Sequence, residues 1–196
     1  MKKIPTLFER EFSNHRVVKV METVTPGMEW VLDGEGDATI KVDGSCVAFV
    51  DGRFYKRFDA KPGRKVRREA IPCCEPDPVT GHWPHWVPVD WSDPGDRWFV
   101  GALNNTPKEM LTYEGGTYEA IGPHFNGNPY KLDMDILYRH GCCKVEVERT
   151  YEGIRSYLES HSVEGLVFWK DGEPKCKIKR TDFGFKWPVY DAKLTD

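Results

Sequence analysis

Alternating apolar and polar positions divide most of this chain into short extended segments. Ile40, Val42, Cys46, Val47 and Phe49 stud residues 39–50, and Asp51-Gly52 separates them from a second alternating run at 53–58. An Asp-Gly pair between two such runs is a strong hairpin signal, because both turn positions need positive φ. The device recurs at Asp171-Gly172, between residues 165–170 and 175–180, with Glu173-Pro174 expected to lengthen the loop. Residues two apart on a strand share a face. Lys177 and Lys179 are therefore expected to point one way, with Cys176 and Ile178 opposite.

Residues 71–91, IPCCEPDPVTGHWPHWVPVDW, hold too many prolines for regular structure through the middle. A long ordered loop is expected there, with an edge strand late in it. Another strand is expected at 117–121, followed by the turn-rich GPHFNGNPY. Residues 147–161, VERTYEGIRSYLESH, have helical spacing, with Thr150 as N-cap and Ile154, Tyr157, Leu158 and His161 on one face. Hairpins with few helices predict an α+β domain dominated by antiparallel sheet. Residues 37–190 read as that domain, 1–36 as a segment packing on it, and 191–196 as a tail.

Composition narrows the possibilities. At 196 residues, 39% apolar and 30% charged, the chain suits one globular domain with a proper core. No apolar run approaches the roughly 20 residues of a membrane span, and Met1-Lys2-Lys3 is not followed by a signal-peptide core. An intracellular, cytoplasmic protein is expected. A net charge of −3 argues against a generally basic nucleic-acid binder, but the charge is clustered. Residues 53–68, RFYKRFDAKPGRKVRR, carry eight Lys/Arg against one Asp, and KCKIKR at 175–180 adds four more. Such a local run attracts phosphate or is simply a solvated loop. The six cysteines, Cys46, Cys176 and the pairs Cys73-Cys74 and Cys142-Cys143, fit neither a disulfide framework nor C-x-x-C zinc spacing. Reduced thiols are the simplest account, with zinc the lesser alternative.

The charges set into apolar segments carry the chemistry. Lys41 and Asp43 interrupt a run that otherwise reads as a buried strand. KVDGS (41–45), YEAIG (118–122), VEGLVFW (163–169) and KCKIKR (175–180) follow in order. Together they resemble the motifs of the covalent nucleotidyltransferase superfamily, the polynucleotide ligases and messenger-RNA capping enzymes. GHWPHWVPV (81–89), IGPHFNGNPY (121–130) and FGFKWPV (183–189) narrow the resemblance to a small family of ATP-dependent 5′-to-3′ RNA ligases that includes a vertebrate enzyme. The likeness runs over about residues 37–190.

The resemblance implies an antiparallel-sheet-rich, ATP-grasp-like adenylation domain without an oligonucleotide-binding (OB) domain, for which about 16 residues after KIKR leave no room. It implies Lys41 as the nucleophile that takes AMP from ATP, passes it to an RNA 5′-phosphate, and is restored as a 3′-hydroxyl seals the bond. A free lysine amine titrates near ~10.4, and neighbouring positive charge or a dry pocket lowers that value. Asp43, Glu119 and Glu164 are acids in apolar surroundings that call for a cation. By resemblance they organise Mg2+ (or Mn2+) around the α-phosphate. Lys177 and Lys179 fit the pair that contacts the α-phosphate, although the narrower family carries a histidine at the second position. Arg57 aligns with an arginine that contacts phosphate or the RNA end, and Glu119 also falls among the nucleotide-binding residues. The resemblance also implies that Leu166 and Val167 form one wall of an adenine slot; Tyr118, Phe125, Trp83, Trp86 or Trp91 could form the other, with core packing the commoner role for such residues. Lys56, Arg64, Lys65, Arg67 and Arg68 are expected RNA-backbone contacts, salt-sensitive and sequence-blind. The rival readings are a minimal DNA ligase, a GTP-dependent guanylyltransferase, transfer of AMP to another acceptor, and a non-catalytic RNA-binding module. A lost Lys41 or motif acid would mark that last case, and none is lost here.

Overall fold

A computed structural model describes residues 3–13, 16–67 and 69–194. Arg68 and the last two residues of the expected tail lie outside them. The strands, in chain order, begin with β1 (Phe8–Ser13), β2 (Arg16–Val24), β3 (Asp37–Lys41), β4 (Ser45–Val50) and β5 (Arg53–Ala60). Then come β6 (Ile71–Pro72), β7 (Trp83–Pro88), helix α1 (Arg97–Asn105), β8 (Gly115–Ile121), β9 (Ile136–Arg139) and β10 (Lys144–Val145). Helix α2 (Tyr151–Ser160), β11 (Gly165–Lys170) and β12 (Glu173–Lys179) complete the order. Among the described residues these strands pair antiparallel, with one isolated parallel bridge from Thr6 to Lys177, and the helices are few, as an α+β reading requires. No helix among the described residues is long and apolar enough to cross a membrane.

The chain forms two compact units: Asp43–His140 with Met1–Lys3, and Ile4–Val42 with Gly141–Asp196. The first is built on a six-stranded sheet in the order β6-β7-β5-β4-β8-β9. Its β4–β5 hairpin turns at Asp51-Gly52 with φ of 48° and 73°, the left-handed pair that this turn needs. Val47, Phe49, Phe54, Tyr118 and Leu137 bury one face, and Ala102 of α1 packs into the same cluster. Each such large apolar side chain stabilises the fold by roughly 1.5–3 kcal/mol. Ala48, Tyr55 and Trp86 cluster separately, with Cys46 and Cys73 against them.

The late strand in the proline-rich stretch exists as β7, but it lies one strand in from the edge. The strand outside it, β6, has only two residues, pairing Ile71 with Trp86 and Pro72 with His85. The sequence reading missed α1. Its signals were present: Asp93 accepts from the Gly95 N–H ahead of the helix, Pro94 follows, and Phe99 and Leu103 pack inward.

The second unit contains a four-stranded sheet in the order β10-β3-β11-β12 and a separate β1–β2 ribbon. The strand expected to run through residues 39–50 is broken. β3 ends at Lys41, and β4 starts at Ser45 in the other sheet. At Gly44 a Cβ would stand 2.5 Å from the Ala120 carbonyl oxygen, so the turn between the two strands needs a residue without a side chain. The β11–β12 hairpin turns at Asp171-Gly172, φ 55° and 74°. Glu173 and Pro174 are not loop residues as expected. They pair with Lys170 and Trp169, and a bulge beyond Phe168 absorbs the extra residue.

Ala38, Ile40, Leu166, Phe168, Cys176 and Ile178 form the buried face of this sheet. Helix α2 starts as expected, with Thr150 Oγ1 accepting from the Gly153 N–H at 3.0 Å. Ile154, Tyr157 and Leu158 are buried, while His161 lies just past the helix as its C-cap. The Arg180 guanidinium donates to the Leu158 and His161 carbonyls, satisfying acceptors that a helix end leaves open. Residues 1–36, given no internal structure by the sequence reading, contain the β1–β2 hairpin. Next to it, the Leu7 N–H donates to the Lys177 carbonyl at 2.7 Å.

Candidate active site

Three expected residues meet in the second unit. Gly165, the first residue of β11, pairs with Lys41 on one side and Lys179 on the other. Directly paired residues share a face, so the two lysines flank the glycine. No larger residue fits there, because a Cβ would stand 2.2 Å from the Ile178 carbonyl oxygen. Glu164 immediately precedes the strand and turns its carboxylate to the lysines. Lys41 Nζ lies 2.6 Å from Oε2, and Lys179 Nζ lies 2.7 Å from Oε1. The Glu164 side chain is only 4% exposed, that of Lys41 18% and that of Lys179 37%. A buried carboxylate is thus satisfied at both oxygens, and the three groups keep one net positive charge facing partly outward.

Lys177 pairs with Val167, as does Thr39, which places these three side chains on the Lys41 face. Lys177 and Lys179 therefore share a face opposite buried Cys176 and Ile178, as expected. Leu166 does not share that face. It is 0% exposed between Ile40 and Ile178, so its contribution is to the core, and Val167 is the member of the pair beside the lysines.

Asp43 and Glu119 belong to the first unit. Asp43 is held by the 122–131 loop, its N–H donating to Tyr130 Oη at 2.7 Å. Asn126 Nδ2 donates to both Asp43 Oδ1 and the Gly44 carbonyl, each at 2.8 Å. The loop reaches this pose through left-handed residues, with φ of 45° at Asn126 and 51° at Asn128. Glu119 Oε1 lies 3.0 Å from His140 Nε2, and His140 Nδ1 lies 2.9 Å from Thr117 Oγ1. Cys46 faces Glu119 directly across the β4–β8 ladder. Burial pushes the Cys46 thiol up to about 12, the Glu119 charge adds to the rise, and Arg57 opposes it.

Arg57 donates from Nε and NH2 to the Asp59 carboxylate, at 2.8 and 3.3 Å. It borders a cleft of about 420 Å³ also lined by Asp59, His82 and Pro84. The basic run is less available than its composition suggests. Lys56 pairs with fully buried Asp96, and Arg67 with Asp93 at 3.0 Å. Lys56 is thus held within the fold. Arg64 and Lys65 are exposed and form no ion pair among the described residues. Tyr118, Phe125 and Trp86 are buried in the core, and Trp83 donates to the Cys74 carbonyl; Trp91 is 62% exposed. All six cysteines are free thiols.

Asn126, Tyr130, His140 and Cys46 were missed as site residues. Their partners lie 83, 87, 21 and 73 positions away, and only strand register and the loop's fold bring them together.

Comparison with known proteins follows the same direction. A family model described as RNA ligase 1 matches residues 100–196, a span that includes Glu119, Glu164, Lys177 and Lys179, while Lys41 and Asp43 precede it. RNA ligase 1 of Danio rerio is 30% identical over 145 aligned positions, which cover 58% of this chain and 44% of the relative. RNA ligase 1 of Rattus norvegicus is 26% identical over 280 positions, covering 98% of this chain and 84% of the relative. The Mus musculus protein is 25% identical over 276 positions, with 98% and 83% covered. The last two alignments are longer than this chain, so they carry gaps opposite segments of the relatives. The match thus spans less than half of the Danio rerio protein and most of the rodent ones. The resemblance drawn from the motifs is borne out as a similarity: residues 100–196 match the RNA ligase 1 family model, and the chain is similar to RNA ligase 1 of Danio rerio and Rattus norvegicus.

Proposed function

We propose that this protein is an ATP-dependent RNA ligase that joins a 5′-phosphate to a 3′-hydroxyl through a covalent Lys41–AMP intermediate, on a nucleotidyltransferase (ATP-grasp-like) fold. The pairing of Lys41 and Lys179 with the two oxygens of buried Glu164 supports this most directly. It holds an amine at a partly open surface beside positive charge, where an anionic nucleotide would be attracted.

In the first step Lys41 Nζ attacks the α-phosphorus of ATP; the N–P bond forms as the bond to pyrophosphate breaks. The amine must shed its proton, and Glu164 Oε2 at 2.6 Å is within reach to accept it. Lys179 and Lys177 stabilise the negative charge that builds on the phosphoryl oxygens. An oxygen of the RNA 5′-phosphate then displaces Lys41 from phosphorus, and the lysine regains a proton. Finally the 3′-hydroxyl attacks the activated 5′-phosphorus and AMP leaves.

Asp43 and Glu164 are each carboxylates, the hard oxygen donors that magnesium prefers directly or through water, so each taken by itself suits the metal. When bound, magnesium would neutralise phosphate charge. Glu164 would exchange a lysine contact to take part. Arg64 and Lys65 are the exposed candidates for the RNA backbone, and Arg57 for an RNA end.

The test is sealing of a 5′-phosphate, 3′-hydroxyl RNA by the purified chain with magnesium and either ATP or GTP. Sealed RNA with ATP, lost in Lys41→Ala, is expected. Preferential sealing of DNA would favour the minimal DNA ligase, and use of GTP alone would favour capping chemistry. RNA binding that persists in Lys41→Ala, with no sealing by the wild type, would leave a binding module.

A further inference from the structure

We infer that Cys46, Glu119 and His140 form a binding site for a divalent transition metal, with zinc the best match to the donors. The three come from neighbouring parts of one sheet. Cys46 on β4 pairs directly with Glu119 on β8, and His140 follows β9, its N–H donating to the Thr117 carbonyl at 3.1 Å. Their thiol, carboxylate and imidazole ligand atoms all lie within 4.8 Å of one another. Tetrahedral zinc, with bonds of about 2.0–2.3 Å, needs ligand atoms roughly 3.3–3.8 Å apart. Small side-chain rotations close that gap, and the ladder keeps the three backbones in register.

Two further observations favour a ligand. Glu119 Oε2 is buried and has no hydrogen-bond partner, a costly state for a carboxylate oxygen that a cation relieves. Thr117 Oγ1 holds His140 Nδ1 at 2.9 Å, which orients the ring so that Nε2 faces Glu119. Protein zinc sites fix their histidines through the second ring nitrogen in this way. A histidine–glutamate hydrogen bond alone would account for Oε1 but for neither Oε2 nor the facing thiol.

The donor types also discriminate between metals. Magnesium takes oxygen ligands, whereas thiolate and imidazole select zinc, cobalt or copper. Glu119, beside a thiol and an imidazole, is accordingly better matched to this site than to magnesium. Three protein ligands leave a fourth position open for water or another oxygen donor. The proton displaced from the thiol on binding passes to solvent.

Cobalt(II) is the probe, added to metal-free whole chain under reducing conditions. One equivalent should give the visible bands of tetrahedral cobalt together with a thiolate-to-cobalt charge-transfer band, and zinc should remove both. Cys46→Ser should lose the charge-transfer band, and His140→Gln should weaken binding tenfold or more. Thr117→Val should weaken binding by roughly 10–100-fold while keeping the charge-transfer band. Absence of the bands at stoichiometric cobalt would overturn the site. So would a charge-transfer band that survives Cys46→Ser and disappears in Cys142→Ser. Neither readout involves ATP or RNA, so the metal site and the ligase reading can fail separately.

Discussion

At the scale of single residues, two positions have definite consequences. Lys41→Arg keeps a cation beside Glu164 but removes the amine proposed as the nucleophile. The variant should form no AMP adduct yet keep its folding stability within about 1 kcal/mol, as read by urea unfolding, because a guanidinium can still pair with the carboxylate. An adduct on Lys41→Arg would place the nucleophile elsewhere. Gly165→Ala should be far more damaging, with a Cβ only 2.2 Å from the Ile178 carbonyl oxygen. A loss of roughly 1–3 kcal/mol or more is expected, and an unchanged urea midpoint would contradict the close β11–β12 approach. Lys41 and Glu164 stood out in the sequence as charges in apolar segments and Lys179 through the K-x-K pattern, and the structure brings the three together. His140 and Cys46 did not, since nothing local distinguishes them. Leu166 and Val167 look interchangeable in sequence, and only register shows which faces the core.

At the scale of elements, both Asp-Gly turns were readable because left-handed backbone is chemically specific. The break between β3 and β4 was not, because Val42 continues the apolar alternation and the close approach at Gly44 comes from distant Ala120. The 122–131 loop clamps the turn after Lys41 through Asn126 and Tyr130. Asn126→Ala removes two hydrogen bonds, each worth about 1 kcal/mol. A stability loss of about 1–2 kcal/mol and slower formation of the AMP adduct in a timed mass measurement are expected. An unchanged rate would mean that the turn needs no support from the loop. The β1–β2 ribbon escaped notice because its polar residues mask the alternation, as Phe8 is its main buried member on β1.

At the scale of the whole molecule, net charge misled in one respect. The largely buried pair Lys56–Asp96 and the more exposed pair Arg67–Asp93 neutralise part of the basic run, so composition overstates the positive surface. Buried thiols carry a different global signature. Burial pushes Cys176 from 9.0 up to about 12. Between those values the unfolded chain loses this proton and the folded chain keeps it, so its contribution is intact below pH 9 and falls as pH rises. The loss from this group approaches 1.4 kcal/mol per pH unit. Urea unfolding at rising pH should show a shallower decline in Cys176→Ala than in the wild type, from a lower starting stability. Parallel declines would show that the thiol is not the cause.

The most direct measurement is the intact mass of the purified chain before and after incubation with magnesium and ATP, without RNA. A gain of one adenylyl group on the wild type, absent from Lys41→Ala, is the predicted result. No gain on a chain that starts unadenylated, or the same gain on Lys41→Ala, would contradict the covalent intermediate on which the account rests.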